Sequence, residues 1–397
     1  MNILRRFYCR LYQTIFRIAI PFLPYRSPEI VDLKDLDSVL AENKITSLCV
    51  ITDGNLRGMA EKIVSGLTTS CHIYDKTMPN PTIAQVEDAR AFYLQKGCDG
   101  LLAIGGGSVM DLAKVVGARI VRPKKTVEKM AGLLRIRKKI PPLITIPTTA
   151  GTGSETTLAA VITDEKTHHK YPINDFCLIP HYAVLEPSLL AGLPKGLSAT
   201  TGMDALTHAV EAYIGRSTTK KTRKASLLAV RLICQNLLRS YEHPEDLTAR
   251  KNMLEASHQA GIAFTVSYVG YVHAIAHSLG GQYGIPHGLA NAIILPILLE
   301  AYGPSCERKL AALAKEGLVA DDGDDVKLAA RKFIDFIYDL NGKMGIPRHI
   351  PQIREEDIDR MASFADKEGN PLYPVPKLFD KKELETFYRI IRGDENE

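Results

Sequence analysis

Tryptophan is missing altogether from the 397 residues, and the seven cysteines include no CxxC pair. That spacing excludes a cysteine zinc site, and an odd, widely dispersed set excludes a disulfide framework, so the thiols fit a reducing cytoplasm. No uninterrupted apolar run reaches the roughly 18 residues that a membrane-spanning helix needs. Charge of one sign is also scarce. Lys+Arg number 50 against 45 Asp+Glu, and a net of +5 is too weak for a nucleic-acid-binding surface. Residues 1–28 contain Arg5, Arg6, Arg10, Arg17 and Arg26 and no acid, so they hold the whole surplus and leave the remainder balanced.

With 45% apolar and 24% charged residues of mixed sign, the chain is long enough for more than one hydrophobic core. A disordered chain is excluded. The opening stretch MNILRRFYCRLYQTIFRIAIPFLPYRSP places Leu4, Tyr8, Leu11, Ile15 and Phe16 near helical spacing. Arg10, Gln13 and Arg17 interrupt the apolar core that a signal peptide requires. Residues 1–30 therefore read as a basic amphipathic helix. The expectation is that it packs on the rest of the protein or in a subunit contact; lying on anionic lipid is the alternative.

From Asp35 to Pro187 short apolar runs alternate with helical stretches. SLCVITD, CHIYDK, GLLAI, PLITIP, VITD and AVLEP read as strands, with LRGMAEKIVSGL and PTIAQVEDARAFYLQKG as helices between them. This alternation predicts βαβ units and a parallel sheet. After Pro194 long amphipathic stretches take over and strand runs vanish. The expected division is 31–195 as a Rossmann-like α/β nucleotide-binding domain and 196–397 as an all-α metal and substrate domain. ADDGDD (320–325) lacks the spacing and closing Glu of a calcium loop and reads as a solvated turn before a helix.

Four features carry chemistry. In GLLAIGGGSVMDLAKVVG a buried strand meets Gly105–Gly106–Gly107–Ser108 and a helix starts at once, which suits either a phosphate at a helix N-terminus or a tight turn. PTTAGTGSETT again follows a strand and offers many donors; it is a second phosphate-side loop or an ordinary surface loop. Two such loops at strand ends of one sheet favour a nucleotide. Asp53, ending the first confident strand, can accept from a ribose hydroxyl and would repel a 2′-phosphate, although Asp-Gly is also a common turn dipeptide. In TGMDALTHAVEAY, Asp204 and His208 lie four apart on one helix face. His273 and His277 repeat that spacing in YVHAIAHSLGGQYGIPHG, and His287 follows fourteen residues after His273. One carboxylate and several imidazoles in apolar surroundings suit a divalent transition metal. Against this, Thr201-x-x-Asp204 fits a helix N-terminal cap, and single histidines are commonly core residues.

Together GGGSVMDLAK, TTAGTGSE, GMDALTHAVEAY and HAIAHSLGGQYGIPHG, with PNPT at 79–82, strongly resemble the iron-containing (group III) alcohol dehydrogenase family. The resemblance runs from about Ser47 to GNPLYPVP near the C-terminus and leaves out the extreme N-terminus. It implies the dehydroquinate synthase-like fold, an α/β domain followed by a helical one. It implies metal ligation by Asp204, His208, His273 and His287, with His277 on the substrate side as a proton relay. For the dinucleotide it implies Asp53 and Asn80 at the adenosine half, Gly106, Gly107 and Ser108 at the pyrophosphate, and Asp111 near the nicotinamide. Thr148, Thr149, Thr157 and Lys170 complete the set.

The expected activity is reversible hydride transfer between a primary alcohol and its aldehyde. Fe2+ or another divalent metal such as Zn2+ would serve, with NAD in preference to NADP, in a cytoplasmic homodimer or larger homo-oligomer that binds no nucleic acid. Glu186-Pro187 stands where members often carry Asp-Pro, and GIAFTVSYVGYVH lacks an Asn common upstream of the third ligand. Both departures bear on substrate preference, as does the region Phe264–Tyr268. The alternatives are a zinc-dependent glycerol-dehydrogenase-like or dehydroquinate-synthase-like enzyme, which would use three protein ligands, and an inactive membrane-surface scaffold.

Overall fold

The computed structural model describes residues 1–165 and 169–394. The chain forms two compact units, Pro24–Leu190 and Met1–Leu23 with Ala191–Glu397. The first helix, α1 (Ile3–Ala19), thus belongs with the C-terminal residues, while residues 24–30 lead into the first strand of the other unit.

The unit Pro24–Leu190 is built on β1 (Glu29–Ile30), β2 (Ser47–Asp53), β3 (Ser70–Thr77), β4 (Gly100–Gly105), β5 (Gly132–Leu133), β6 (Leu143–Pro147), β7 (Ala159–Asp164), β8 (His169–Asn174) and β9 (Tyr182–Ala183). Its helices are α2 (Leu36–Glu42), α3 (Arg57–Val64), α4 (Ile83–Gln95) and α5 (Gly107–Val121). Six strands form one sheet in the order β1-β9-β6-β4-β2-β3, and every pairing in it is parallel. The uninterrupted apolar runs of β2 and β4 follow from burial on both faces. Cys49, Ile51, Leu101 and Ala103 pack into the core under α4 and α5, and Leu48, Val50, Leu102 and Ile104 into the one under α2 and α3. Parallel strands with helices on both sides place the glycine loop and the threonine loop at the C-terminal ends of neighbouring β4 and β6.

Two strand expectations land elsewhere. VITD becomes the end of β7, which pairs antiparallel with β8 in a separate three-stranded sheet, β5-β8-β7. AVLEP contributes only Ala183, the last residue of β9, and its Pro187 already opens a 3₁₀ turn.

Helices make up the other unit. They are α6 (Lys195–Ile214), α7 (Lys220–Glu242), α8 (Leu247–Ser267), α9 (Tyr271–Tyr283), α10 (His287–Tyr302), α11 (Glu307–Glu316), α12 (Val326–Lys343), α13 (Glu355–Gly369) and α14 (Lys381–Arg392). Helices α6, α7 and α8 pack on one another and α10 lies against both α6 and α9. Thr201 does not cap a helix. It sits in the second turn of α6 and its hydroxyl donates to the Leu197 carbonyl (2.7 Å), since α6 starts at Lys195. No single helix among the described residues is long and apolar enough to cross a membrane. The bent pair α8–α9 passes by composition, but most of α8 and the ligand-bearing half of α9 are buried in this unit.

ADDGDD is a turn whose last residue, Asp325, caps α12 by accepting from the Leu328 N–H (2.8 Å). Asp325→Ala is expected to destabilise the helical unit by about 1 kcal/mol, read from a denaturant midpoint. Added calcium should shift neither protein.

Candidate metal centre and nucleotide loops

Asp204 and His208 lie one turn apart in α6, His273 is in the first turn of α9, and His287 opens α10. Contact between α10 and α6 is close enough that a Cβ at Gly288 would stand 2.3 Å from the Thr200 carbonyl oxygen. Glycine there lets the first turn of α10 press on α6 and bring His287 to the carboxylate. Donor atoms of Asp204, His208, His273 and His287 all fall within 4.8 Å of one another, and the first three residues are buried. His287 Nε2 is 3.5 Å, and His273 Nε2 4.0 Å, from Asp204 Oδ1. Phe264 stacks on the His208 ring (4.1 Å between centroids) and His208 on His273 (4.6 Å).

A buried carboxylate among buried imidazoles is costly without a shared cation, so the chemistry of the donor set fits a divalent metal. Burial, together with the imidazoles of His208, His287 and His277, holds His273 well below the usual histidine value, so its ring is neutral. Its Nδ1–H donates to Glu211 Oε2 (2.6 Å), which turns the Nε2 lone pair toward Asp204. Glu211 also accepts from the N–H groups of Gly270 (2.8 Å) and Val272 (2.9 Å). Burial nevertheless raises it to about 7. Asn291, fully buried one turn into α10, donates from Nδ2 to Asp204 Oδ1 (2.7 Å) and lies 3.3 and 3.1 Å from Nε2 of His273 and His287. Among the described residues its Oδ1 has no hydrogen-bond partner. The amide therefore occupies the middle of the donor set, where a cation would satisfy the same three atoms.

His277 stands beside this set, its ring stacked 5.1 Å from His287. Glu368 Oε1 receives the His277 Nδ1–H (2.7 Å) and the Tyr373 hydroxyl (2.6 Å). Burial works against the Glu368 charge, but His277 and Tyr373 prevail and hold its carboxyl below the usual value. Tyr268, at the end of α8, has φ +63°, an uncommon conformation for a bulky residue.

In the other unit, α5 starts at the glycine turn, so its first N–H groups and positive dipole end face the loop. A Cβ on Gly107 would stand 3.0 Å from Thr152 Cγ2, which is how closely the threonine loop covers the glycines. Thr148 is buried and its N–H donates to the Gly105 carbonyl (3.1 Å). Thr149 lies over Gly106. Lys170 donates to Asn80 Oδ1 (2.9 Å), and the Asn80 N–H to Ser108 Oγ (3.4 Å), so three residues spread over 91 positions meet beside the turn. Asp53 accepts from Asn55 and Leu56 N–H groups, both through Oδ1. Asp111 uses both oxygens within the fold, accepting from Ser154 Oγ (3.0 Å) and from the Val161 N–H (3.0 Å).

The sequence motifs assign no role to Lys114. It is fully buried and donates to Ser154 Oγ (2.9 Å), Thr157 Oγ1 (2.8 Å) and the Ala159 carbonyl (2.8 Å), pinning the threonine loop to α5. Glu211, Asn291 and Glu368 likewise have no role that the sequence motifs assign. Glu211 continues the 204–208–211 face and Asn291 follows His287 by one turn, so helical periodicity could have found both. Nothing in the sequence links Glu368 to His277, 91 residues away.

Residues 31–187 match the model of iron-containing alcohol dehydrogenases, and 198–391 match that of the C-terminal domain of the same family. A 1,3-propanediol dehydrogenase from Citrobacter freundii is 36% identical over 384 residues, covering 94% of this chain and 98% of that protein. The chain belongs to the iron-containing alcohol dehydrogenase family. An NAD-dependent methanol dehydrogenase from Bacillus methanolicus is 32% identical, covering 84% of this chain and 89% of the other. A crystal structure of 1,3-propanediol oxidoreductase superposes with a TM-score of 0.88 at 33% identity, over 92% of this chain and 99% of that one. This family member is a metal-dependent oxidoreductase of alcohols and aldehydes, and the glycerol-dehydrogenase-like, dehydroquinate-synthase-like and inactive-scaffold alternatives are not favoured.

Glu211→Gln places an amide NH2 among three N–H donors, so metal affinity is expected to fall about 10- to 100-fold, measured by competition with a chelator. Burial lowers Lys114 from 10.5 to about 8, against the pull of Asp111 and Glu155. Its folded value lies below its unfolded one, so the unfolded chain binds the extra proton between these pH values and stability rises with pH across that window. Relative to Lys114→Met, the natural protein should gain about 3 kcal/mol between pH 8 and 10.5, read from denaturant midpoints.

Proposed function

We propose that the protein interconverts a primary alcohol and its aldehyde in the cytoplasm, with Fe2+ at the four-residue centre and NAD at the two loops. One observation carries this reading: a carboxylate and three imidazoles from three helices share a buried point with their donor atoms within 4.8 Å. Asp204, His208, His273 and His287 hold the cation, and Glu211 fixes the His273 tautomer. Zn2+ suits the same donors. When bound, the metal would supply Lewis acidity and NAD a hydride acceptor.

His277 moves the proton. Its Nδ1 is turned to Glu368, so Nε2 takes the alcohol's proton in oxidation and returns it in reduction, while Glu368 and Tyr373 steady the charged ring. At the loops, N–H groups of Gly106, Gly107 and the first turn of α5 hold the pyrophosphate, with Thr148, Thr149 and Thr157 around it. Asn80, Ser108 and Lys170 act as one bonded group beside them. Asp53 Oδ2 takes the ribose hydroxyl and disfavours a 2′-phosphate, which supports NAD. Asp111 contributes by bracing the threonine loop through Ser154. Seven free cysteines support the cytoplasmic placement.

Metal-loaded protein is expected to change NADH absorbance with members of an alcohol and aldehyde panel; complete silence overturns the assignment. His273→Ala should lose metal and turnover together. His277→Ala should keep the metal by elemental analysis while kcat falls about 100-fold or more.

A further inference from the structure

Helix α1 is mounted with its polar side inward. Cys9 and Gln13 are buried, and the Gln13 amide donates to the Tyr373 carbonyl (2.7 Å). The Arg10 guanidinium donates to the carbonyls of Val375 and Pro376 (2.8 Å each), and Arg5 pairs with Asp366 (2.7 Å). Phe16 meets the Tyr268 ring edge-on at 4.9 Å. Outward runs a stripe at helical spacing: Leu4 (81% exposed), Phe7 (67%), Leu11 (47%), Ile15 (59%) and Ile18 (65%), continued by Phe22 (84%). Large apolar side chains left in water in such a row mark an interaction surface.

Charge decides the occupant. Arg6 and Arg17, both exposed, lie three turns apart on the border between the packed face that carries Arg10 and Gln13 and the open side of the helix, and Tyr8 and Tyr12 occupy the opposite border, next to the stripe. No acid occurs before Glu29. A second copy of this helix would thus bring only basic and apolar side chains and offer no counter-charge, whereas anionic headgroups can pair with the long arginine side chains that extend outward past the stripe while the acyl boundary receives the stripe itself. Tyrosine suits the boundary between the two. Because Asn2 caps α1 and its inner face is already anchored, binding needs no folding step. We infer that α1 is an interfacial anchor that lays the enzyme on an anionic lipid surface.

The test is flotation of the full-length protein with vesicles of phosphatidylcholine alone or mixed with phosphatidylglycerol. Binding to the mixed vesicles and little to the neutral ones is expected. Arg6→Gln with Arg17→Gln should weaken it about 30-fold. Leu11→Gln with Ile15→Gln should abolish it and leave turnover of a soluble alcohol unchanged. Since the chain has no Trp, Phe7→Trp supplies a single emission that should move to the blue on mixed vesicles. The proposal is overturned if the natural protein stays with the unbound fraction, if neutral vesicles bind it equally, or if the Leu11 and Ile15 changes alter sedimentation of the oligomer and not flotation.

Discussion

Bringing a carboxylate and three imidazoles out of water to one point is the constraint on which the helical unit turns. Each group alone would be expensive to bury, and together they are tolerable only around a cation or a donor in its place. The surrounding contacts answer this demand. Gly288 permits the first turn of α10 to touch α6, Glu211 fixes the neutral His273 ring from behind, and Asn291 places its N–H atoms on Asp204 from within. The site is held by helix termini and one-turn spacings, so it is built on rigid elements and not on loops.

A second buried charge organises the nucleotide unit. Lys114 is fully buried, and three oxygens of the threonine loop and its neighbouring strand receive its hydrogens, while Asp111 a turn earlier receives the Ser154 hydroxyl. The loop that covers the glycine turn is thereby tied to the helix that starts there. Its many donors keep a defined arrangement, which a flexible surface loop of the same composition would not.

The N-terminal helix shows how far amphipathicity carries and where it misleads. The 3.6-residue spacing of Leu4, Leu11 and Ile15 identified a helix, and the expected packing on the rest of the protein does occur. Yet the face that packs is the one carrying Gln13, Arg10 and Arg5, whose hydrogen bonds go to backbone carbonyls near Tyr373 and to Asp366. Hydrophobic pattern says that a face wants cover; it does not say which neighbour supplies it.

Local chemistry determined much by itself. Uninterrupted apolar runs on β2 and β4, the ADDGDD turn before α12, and Asp204–His208 and His273–His277 at one-turn spacing are properties of a few consecutive residues, and they appear in the structure as read. Tertiary structure alone decided the remainder. The carboxylate of Glu368 reaches His277 across 91 residues, Lys170, Asn80 and Ser108 converge from three separate elements, and VITD leaves the main sheet for a hairpin with β8. Asp53 spends one oxygen on its own turn, and Thr201 lies inside a helix that begins earlier than its capping pattern suggested. The reason is physical: spacing along a helix or strand fixes which side chains share a face, but which faces meet depends on the burial of the whole chain at once.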